Sequence, residues 1–172
     1  DGLDSVTVHT NETIFDLREK PDHLLIIGGG PIGMEMAQAH VRLGCKVTVI
    51  EGAKAMGKDD PEMAVIVLDN LRREGVEIIE DAQANRISSC DGTLTVHTPK
   101  GDFTGSHLLV AVGRAVNVDG LGLDKANVDH DRKGLKVDGS LRSVSNKRVY
   151  AAGDSAGGLQ FTHVAGYHGG QL

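Results

Sequence analysis

Gly28, Gly30 and Gly33 make a Gly-x-Gly-x-x-Gly turn between an apolar run, His23 to Ile27, and an alanine-containing segment that opens with Pro31-Ile32. That order suits a dinucleotide pyrophosphate. Gly28 permits a tight turn, Gly30 lacks the Cβ that would block the backbone's approach to phosphate, and Gly33 lets a helix and a strand pack closely. The N–H groups opening the new helix then face the anion. Glycine turns alone are weak signals, because 23 of the 172 residues are glycine. Context strengthens this one. Cys45 to Ile50 reads as a second strand, after a helix closed by Gly44, and it ends on Glu51. An acid about 20 residues past the first glycine is the group expected to bind a ribose 2′-OH. Read alone, Glu51 is a solvated carboxylate at a strand end. An acid there repels a 2′-phosphate, and no arginine follows closely to offset it, so NAD(H) is preferred over NADP(H). Lys54 and Lys58 do follow, and a flexible lysine reaching the ribose would act against that preference.

These groups need elements to hold them. The polar, irregular residues 1–21, with a short helix expected within Thr10 to Leu17, read as a connector. A first helix is predicted from Pro31 to Leu43, burying Ile32, Met36, Ala37 and Val41. A second begins at Asp60, an N-cap before Pro61, repeats Met63, Val67 and Leu71 on one face, and stops at Gly75. Val76 to Ile79 is then a third parallel strand, completing a βαβαβ unit. Residues 82–89, 93–98 and 102–105 alternate in polarity and are joined by Asp91-Gly92 and Lys100-Gly101, the punctuation of hairpins. Ser106 to Gly113 reads as a buried strand returning to the main sheet. Residues 115–147 are loop-rich, with a possible strand at Gly134 to Val137. Arg148 to Asp154 reads as a strand ending in Gly-Asp, with exposed apolar surface on a bare edge at Val149 to Ala152, and a short helix closes the chain near 162–172. The fold class is therefore α/β: a Rossmann-like βαβαβ parallel sheet with an inserted antiparallel β-meander, followed by a C-terminal tail.

Composition narrows the function. A formal net charge of −6 leaves no basic footprint for nucleic acid. The apolar runs fall short of the about 20 residues that a membrane helix needs, and no signal-like segment is present, so a cytoplasmic protein without membrane contact is expected. Cys45 and Cys90 lack Cys-x-x-Cys spacing and read as buried free thiols, and no metal site is expected. His163 and His168 do not have the i, i+4 spacing of a helical metal pair.

The order of motifs resembles the FAD-dependent pyridine nucleotide-disulfide oxidoreductases, the family of lipoamide dehydrogenase, glutathione reductase and mercuric reductase. The landmarks are Gly28 to Glu35, Val49-Ile50-Glu51, Ala111-Val112-Gly113-Arg114, and Tyr150-Ala151-Ala152-Gly153-Asp154, with Phe161 to Ala165 resembling the family's turn beside the flavin. The nearest branch resembles lipoamide dehydrogenase and mercuric reductase. The resemblance covers essentially the whole chain. It implies an NAD-binding domain at 22–114 and a C-terminal segment of an FAD domain at 115–172, with residues 1–21 a connector from an FAD domain upstream. An FAD-binding glycine motif, a redox cysteine pair and a dimerisation domain would lie elsewhere in a longer, homodimeric parent. The opening at Asp1 rather than methionine agrees with that expectation.

Carried onto this sequence, the resemblance implies that Gly28, Gly30, Pro31, Ile32 and Gly33 hold the NAD pyrophosphate and Glu51 the adenine-side ribose. Ala84 would flank the adenine, and Val112 with Gly113 would lie near the nicotinamide. Glu35 would line the nicotinamide and flavin pocket without acid–base work; read alone, it is a carboxylate favoured by the helix macrodipole. Gly153, Asp154, Thr162 and His163 would contact FAD in the parent, Asp154 accepting from a ribityl hydroxyl; read alone, Gly153-Asp154 is a turn dipeptide. The parent would pass hydride from NADH to FAD and on to a disulfide-type acceptor, and this piece alone would be inactive. Two other readings remain: an NADH oxidase, peroxidase or coenzyme A disulfide reductase of the same architecture, and a non-catalytic nucleotide-sensing module.

Overall fold

The computed structural model describes all 172 residues, which form two compact units, Asp1–Gly113 and Arg114–Leu172. In the first, β1 (Val8–His9), β2 (His23–Ile27), α1 (Pro31–Arg42), β3 (Lys46–Ile50), α2 (Pro61–Arg73) and β4 (Glu77–Ile79) follow in order. The strands β5 (Arg86–Cys90), β6 (Thr93–Thr98) and β7 (Gly101–Gly105) then form a separate antiparallel sheet before β8 (His107–Val110) returns. The main sheet is parallel in the order β1-β8-β2-β3-β4. Residues read as a connector thus supply an edge strand, Val8 pairing with Leu108, and the short helix expected over Thr10 to Leu17 is a 3₁₀ turn at Ile14–Asp16 that buries Ile14.

Alternation along the strands sorts the core into two layers. Leu24, Ile26, Val47, Val49 and Leu109 face α1 and α2, meeting Met34, Ala37, Leu68 and Leu71. Leu25, Ile50 and Leu108 face the other way, onto Ile87, Leu94 and Val96 of the meander. Each Leu, Ile, Val or Met among them, fully buried, contributes roughly 1.5–3 kcal/mol. The Asp91-Gly92 turn has positive φ at both residues, 49° and 78°, the geometry whose twist matches a two-residue hairpin.

Two helix faces differ from the sequence expectation. In α1 Ala37 is buried as expected and Met36 and Val41 pack half-buried against the core, but Gly33 and Met34 are also buried and Ile32 is only half-buried. Gly33 sets this rotation: a Cβ there would overlap the Gly28 carbonyl oxygen, so its row, continuing through Ala37, must face the sheet. In α2, Ala64, Leu68 and Leu71 are buried, and Met63 (57 % exposed) and Val67 (40 %) point outward. The run Met63 to Leu68 is apolar throughout, so its pattern does not mark a face, and the sheet takes the side where small Ala64 permits close approach. The expected cap holds, with Asp60 accepting from the Glu62 and Met63 N–H groups at 3.0 and 3.3 Å. Cys45 is buried and its thiol is pushed up by that burial, but Cys90 is exposed because its position in β5 points away from the core.

In the second unit, β9 (His130–Asp131) and β10 (Gly134–Leu135) form a short hairpin, so the strand expected to reach Val137 stops at Leu135. Leu123, Val128, Leu135 and Ala151 make a small core. The expected strand Arg148 to Asp154 is instead an isolated bridge, Arg142 to Tyr150, followed by a 3₁₀ turn at Gly153–Ala156. Gly153 adopts φ +67°, which ends extended structure there. Nor is this edge bare, since the Ala151 N–H donates to Leu141 at 3.0 Å. The helix α3 (Thr162–Gln171) closes the chain. Asp138 organises one loop: its Oδ1 accepts from the Ser140 N–H and hydroxyl and from the Arg142 N–H, and the Ser140 bonds hold its carboxyl at about 2.

Three outcomes follow from this packing. Asp60→Ala should lower stability by about 1 kcal/mol in denaturant unfolding, through the loss of a cap. Gly33→Ala should cost about 1–3 kcal/mol or more, because the added methyl has no space against the Gly28 carbonyl. Asp138 is depressed in the folded state, so its contribution is present above the ordinary carboxylate range and disappears as pH falls through about 2. Asp138→Asn should therefore flatten the acid-unfolding profile between about pH 4 and 2, read by circular dichroism.

Candidate functional site

The parallel strands β2, β3 and β8 deliver their C-terminal ends to one edge. The chain leaves β2 through α1 to β3 on one side, and β8 lies on the other side of β2. This reversal is the switch point where open α/β sheets bind ligands. Gly28 sits there with φ +114°, and a Cβ on it would overlap the Ala111 carbonyl oxygen beside it. A Cβ at Gly30, by contrast, would meet no atom within 4 Å. Its backbone faces open space of the kind a phosphate could occupy. No side chain caps the start of α1, and the Ile32 and Gly33 N–H groups precede the first helical bond, from Met34 to Gly30 at 3.0 Å. These groups suit an anion.

Glu51 reaches into the same corner from β3. Its Oε2 accepts from the Gly29 N–H at 2.6 Å and its Oε1 from the Ala53 N–H at 2.9 Å. Its own backbone is fixed too, the N–H donating to Ile79 and the carbonyl accepting from Ala82, both at 2.8 Å. An ionised carboxylate offers about four acceptor positions, so some are left over for further hydrogen-bond donors. Gly29 and Ala53 were not singled out by sequence, since backbone donors carry no side-chain signal. Lys54, one of the two lysines that would act against an NAD preference, is engaged by Asp81 at 2.7 Å, and the pair raises the lysine and lowers the aspartate from their ordinary values.

Val112 and Gly113 follow β8 next to this turn, with the Ala111 N–H donating to Ile27 at 2.8 Å and Val112 largely exposed. Gly28, Gly30, Gly33, Glu51, Val112 and Gly113 are therefore gathered at one sheet edge, with Pro31 and Ile32 opening the helix. Ala84 is half-buried and packs against the meander core. Glu35 stands exposed on α1.

The remaining candidates belong to the second unit. Gly153 opens the 3₁₀ turn, its N–H donating to His168 Nδ1 at 3.1 Å. Asp154 is bound through Oδ2 by the Arg114 guanidinium, which also donates to the Gln160 carbonyl at 3.0 Å. Its Oδ1 has no partner within the protein and is available as an acceptor. Thr162 begins α3, and exposed His163 stacks on Phe161 with ring centroids 5.3 Å apart. The roles of Arg114 and His168 as partners of this turn are long-range contacts that local sequence does not display.

The geometry is matched by known proteins. Residues 1–169 match the family described as pyridine nucleotide-disulphide oxidoreductase. A mercuric reductase of Streptomyces lividans is 37% identical over 98% of this chain and 36% of its own length. A dihydrolipoyl dehydrogenase of Bacillus subtilis (strain 168) is 33% identical over 97% of this chain and 37% of its own. The chain thus spans little more than one third of these curated relatives. Among solved structures, a Cu(II) complex of the HOCl-induced flavoprotein disulfide reductase RclA from Escherichia coli superposes with a TM-score of 0.90 at 32% identity, covering 99% of this chain and 40% of that one. With its switch-point glycine turn, its Glu51 anchor and these matches along nearly its whole length, the chain belongs to the pyridine nucleotide-disulphide oxidoreductase family.

Proposed function

We propose that this chain is the NAD(H)-binding portion of a flavin-dependent oxidoreductase that takes hydride from NADH to FAD and on to a disulfide-type acceptor, in the manner of dihydrolipoamide dehydrogenase. The observation that carries the reading is the corner where open Gly30, the uncapped start of α1 and the anchored Glu51 carboxylate meet. Held there, the nucleotide would supply the hydride that FAD would accept. The protein's own work is positional. Gly28, Gly30, Pro31, Ile32 and Gly33 cradle the pyrophosphate, Glu51 accepts from the adenine-side ribose, and Ala84 flanks the adenine. Val112 and Gly113 border the nicotinamide, with Glu35 lining that pocket.

Residues 22–114 form the NAD-binding domain in this proposal. Residues 115–172 are a segment of the FAD domain, in which Gly153, Asp154, Thr162 and His163 face the flavin, and residues 1–21 connect the two domains. The unpartnered Asp154 Oδ1 supports a ribityl contact, as an ionised carboxylate is a strong acceptor. The parent is proposed to be a cytoplasmic homodimer, and no helix here is long and apolar enough to cross a membrane. NAD(H) preference is supported by Glu51 and by the engagement of Lys54 with Asp81.

Calorimetric titration with NADH and NADPH tests the proposal. NADH should bind more tightly, and Glu51→Gln, which keeps an acceptor for the Gly29 N–H, should weaken NADH by about ten- to hundredfold through loss of a charged hydrogen bond worth about 1.5–3 kcal/mol. Equal binding of the two nucleotides, or an unchanged variant, would overturn the assignment of Glu51. The chain without added flavin should give no NADH oxidation above background.

A further inference from the structure

The meander sheet presents two chemically different faces. Ile87, Leu94, Val96 and Phe103 point to the main sheet, and the alternate residues Arg86, Ser88, Thr95, His97, Asp102 and Thr104 share the other face by strand register. Across its three strands three polar side chains stand side by side. The Ser88 hydroxyl of β5 lies 2.8 Å from His97 Nε2 of β6, and His97 Nδ1 lies 2.9 Å from Asp102 Oδ1 of β7. Nucleophile, base and orienting carboxylate are each within hydrogen-bond reach, the arrangement that activates a serine on unrelated folds. The Asp102 carboxylate at ion-pair distance favours the proton on Nδ1, which leaves the Nε2 lone pair for the Ser88 hydroxyl.

A second feature bears on the same spot. Arg86 stands directly across from His97 in register and two residues before Ser88 on the same strand, hence on the same face. It forms no ion pair in the structure. Its guanidinium is therefore free to meet negative charge beside Ser88. The Ser88 side is half-buried, whereas the His97 and Asp102 side chains are 31% and 60% exposed. The three side chains therefore stand on a sheet face that is partly open to solvent.

We propose that Ser88, His97 and Asp102 form an acyl-transfer site, separate from the nucleotide corner, whose substrates are small activated esters. Ser88 Oγ attacks the ester carbonyl while its proton passes to His97 Nε2, giving a tetrahedral oxyanion beside Arg86. Collapse breaks the bond to the alcohol or phenol, which leaves with the proton from His97, and Ser88 is acylated. Water then attacks the acyl carbonyl, His97 takes its proton and returns one to Ser88 Oγ, and a carboxylic acid departs. Asp102 positions the imidazole and supports the imidazolium. Lacking pocket walls, the site has little means of selecting an acyl chain, which restricts it to short, activated groups such as acetyl.

The test treats the purified protein with a fluorophosphonate and with p-nitrophenyl acetate, mapping adducts by mass spectrometry. Ser88 should carry the adduct in preference to other exposed serines, and Ser88→Ala should abolish labelling. His97→Gln should slow labelling by about 10²-fold or more, the usual contribution of a positioned base. Asp102→Asn should lower kcat for ester hydrolysis with KM unchanged. An adduct spread over exposed serines, or Ser88 labelling that is equally fast in the His97→Gln variant, would overturn the proposal. Should His97→Gln fail to fold, the absence of a Ser88 adduct in the unsubstituted protein overturns it equally.

Discussion

The carboxylate of Glu51 ties the end of β3 to the glycine turn after β2, and the architecture of the corner depends on that tie. Its two oxygens take backbone N–H groups from Gly29 and Ala53, while its own amide and carbonyl are bound to Ile79 and Ala82. A turn with glycine at Gly28, Gly29 and Gly30 has little intrinsic stiffness. Charged hydrogen bonds stronger than neutral ones hold it in a single shape. The acid proposed to read the ribose is therefore also what shapes the loop proposed to hold the phosphates, and the two halves of a dinucleotide would meet a preformed surface.

Close approach of α1 to β2 is the second half of the same constraint. Gly33 faces the Gly28 carbonyl with no room for a methyl, and this contact sets which side of α1 turns inward. Helix rotation, the placement of Met34 in the core and the direction of the free N–H groups at Ile32 and Gly33 all follow from one missing side chain. On the opposite face of the sheet the meander supplies Ile87, Leu94 and Val96 as cover. Because side chains alternate along a strand, covering one face releases the other, and Ser88, His97 and Asp102 stand side by side on that released face.

The second unit is stabilised differently. Its apolar core is small, and much of its order comes from polar turns: Asp138 gathering Ser140 and Arg142, and Arg114 joining Asp154 to the Gln160 carbonyl. Such a unit relies on hydrogen bonds to charged groups where a larger core would rely on burial.

Much of this was legible in the sequence, and the reason is periodicity. Glycine spacing, the Asp60-Pro61 cap, the strand runs ending at Ile27 and Ile50, and the Asp91-Gly92 turn are local signals whose physics acts within a few residues, and the β-α-β-α-β order with its meander follows from them. Tertiary structure decided what local signals leave undetermined. The apolar run Met63 to Leu68 could bury several faces, and packing chose Ala64 and Leu68. Cys90 read as buried, and strand register turned it outward. Arg148 to Asp154 read as a strand, and the left-handed Gly153 made it a turn. Contacts between distant residues, Glu51 with Gly29, Lys54 with Asp81, Arg114 with Asp154 and Ser88 with His97, arise only when folded strands and turns bring them together, because hydrogen bonds act over about 3 Å and sequence separation alone says nothing at that range.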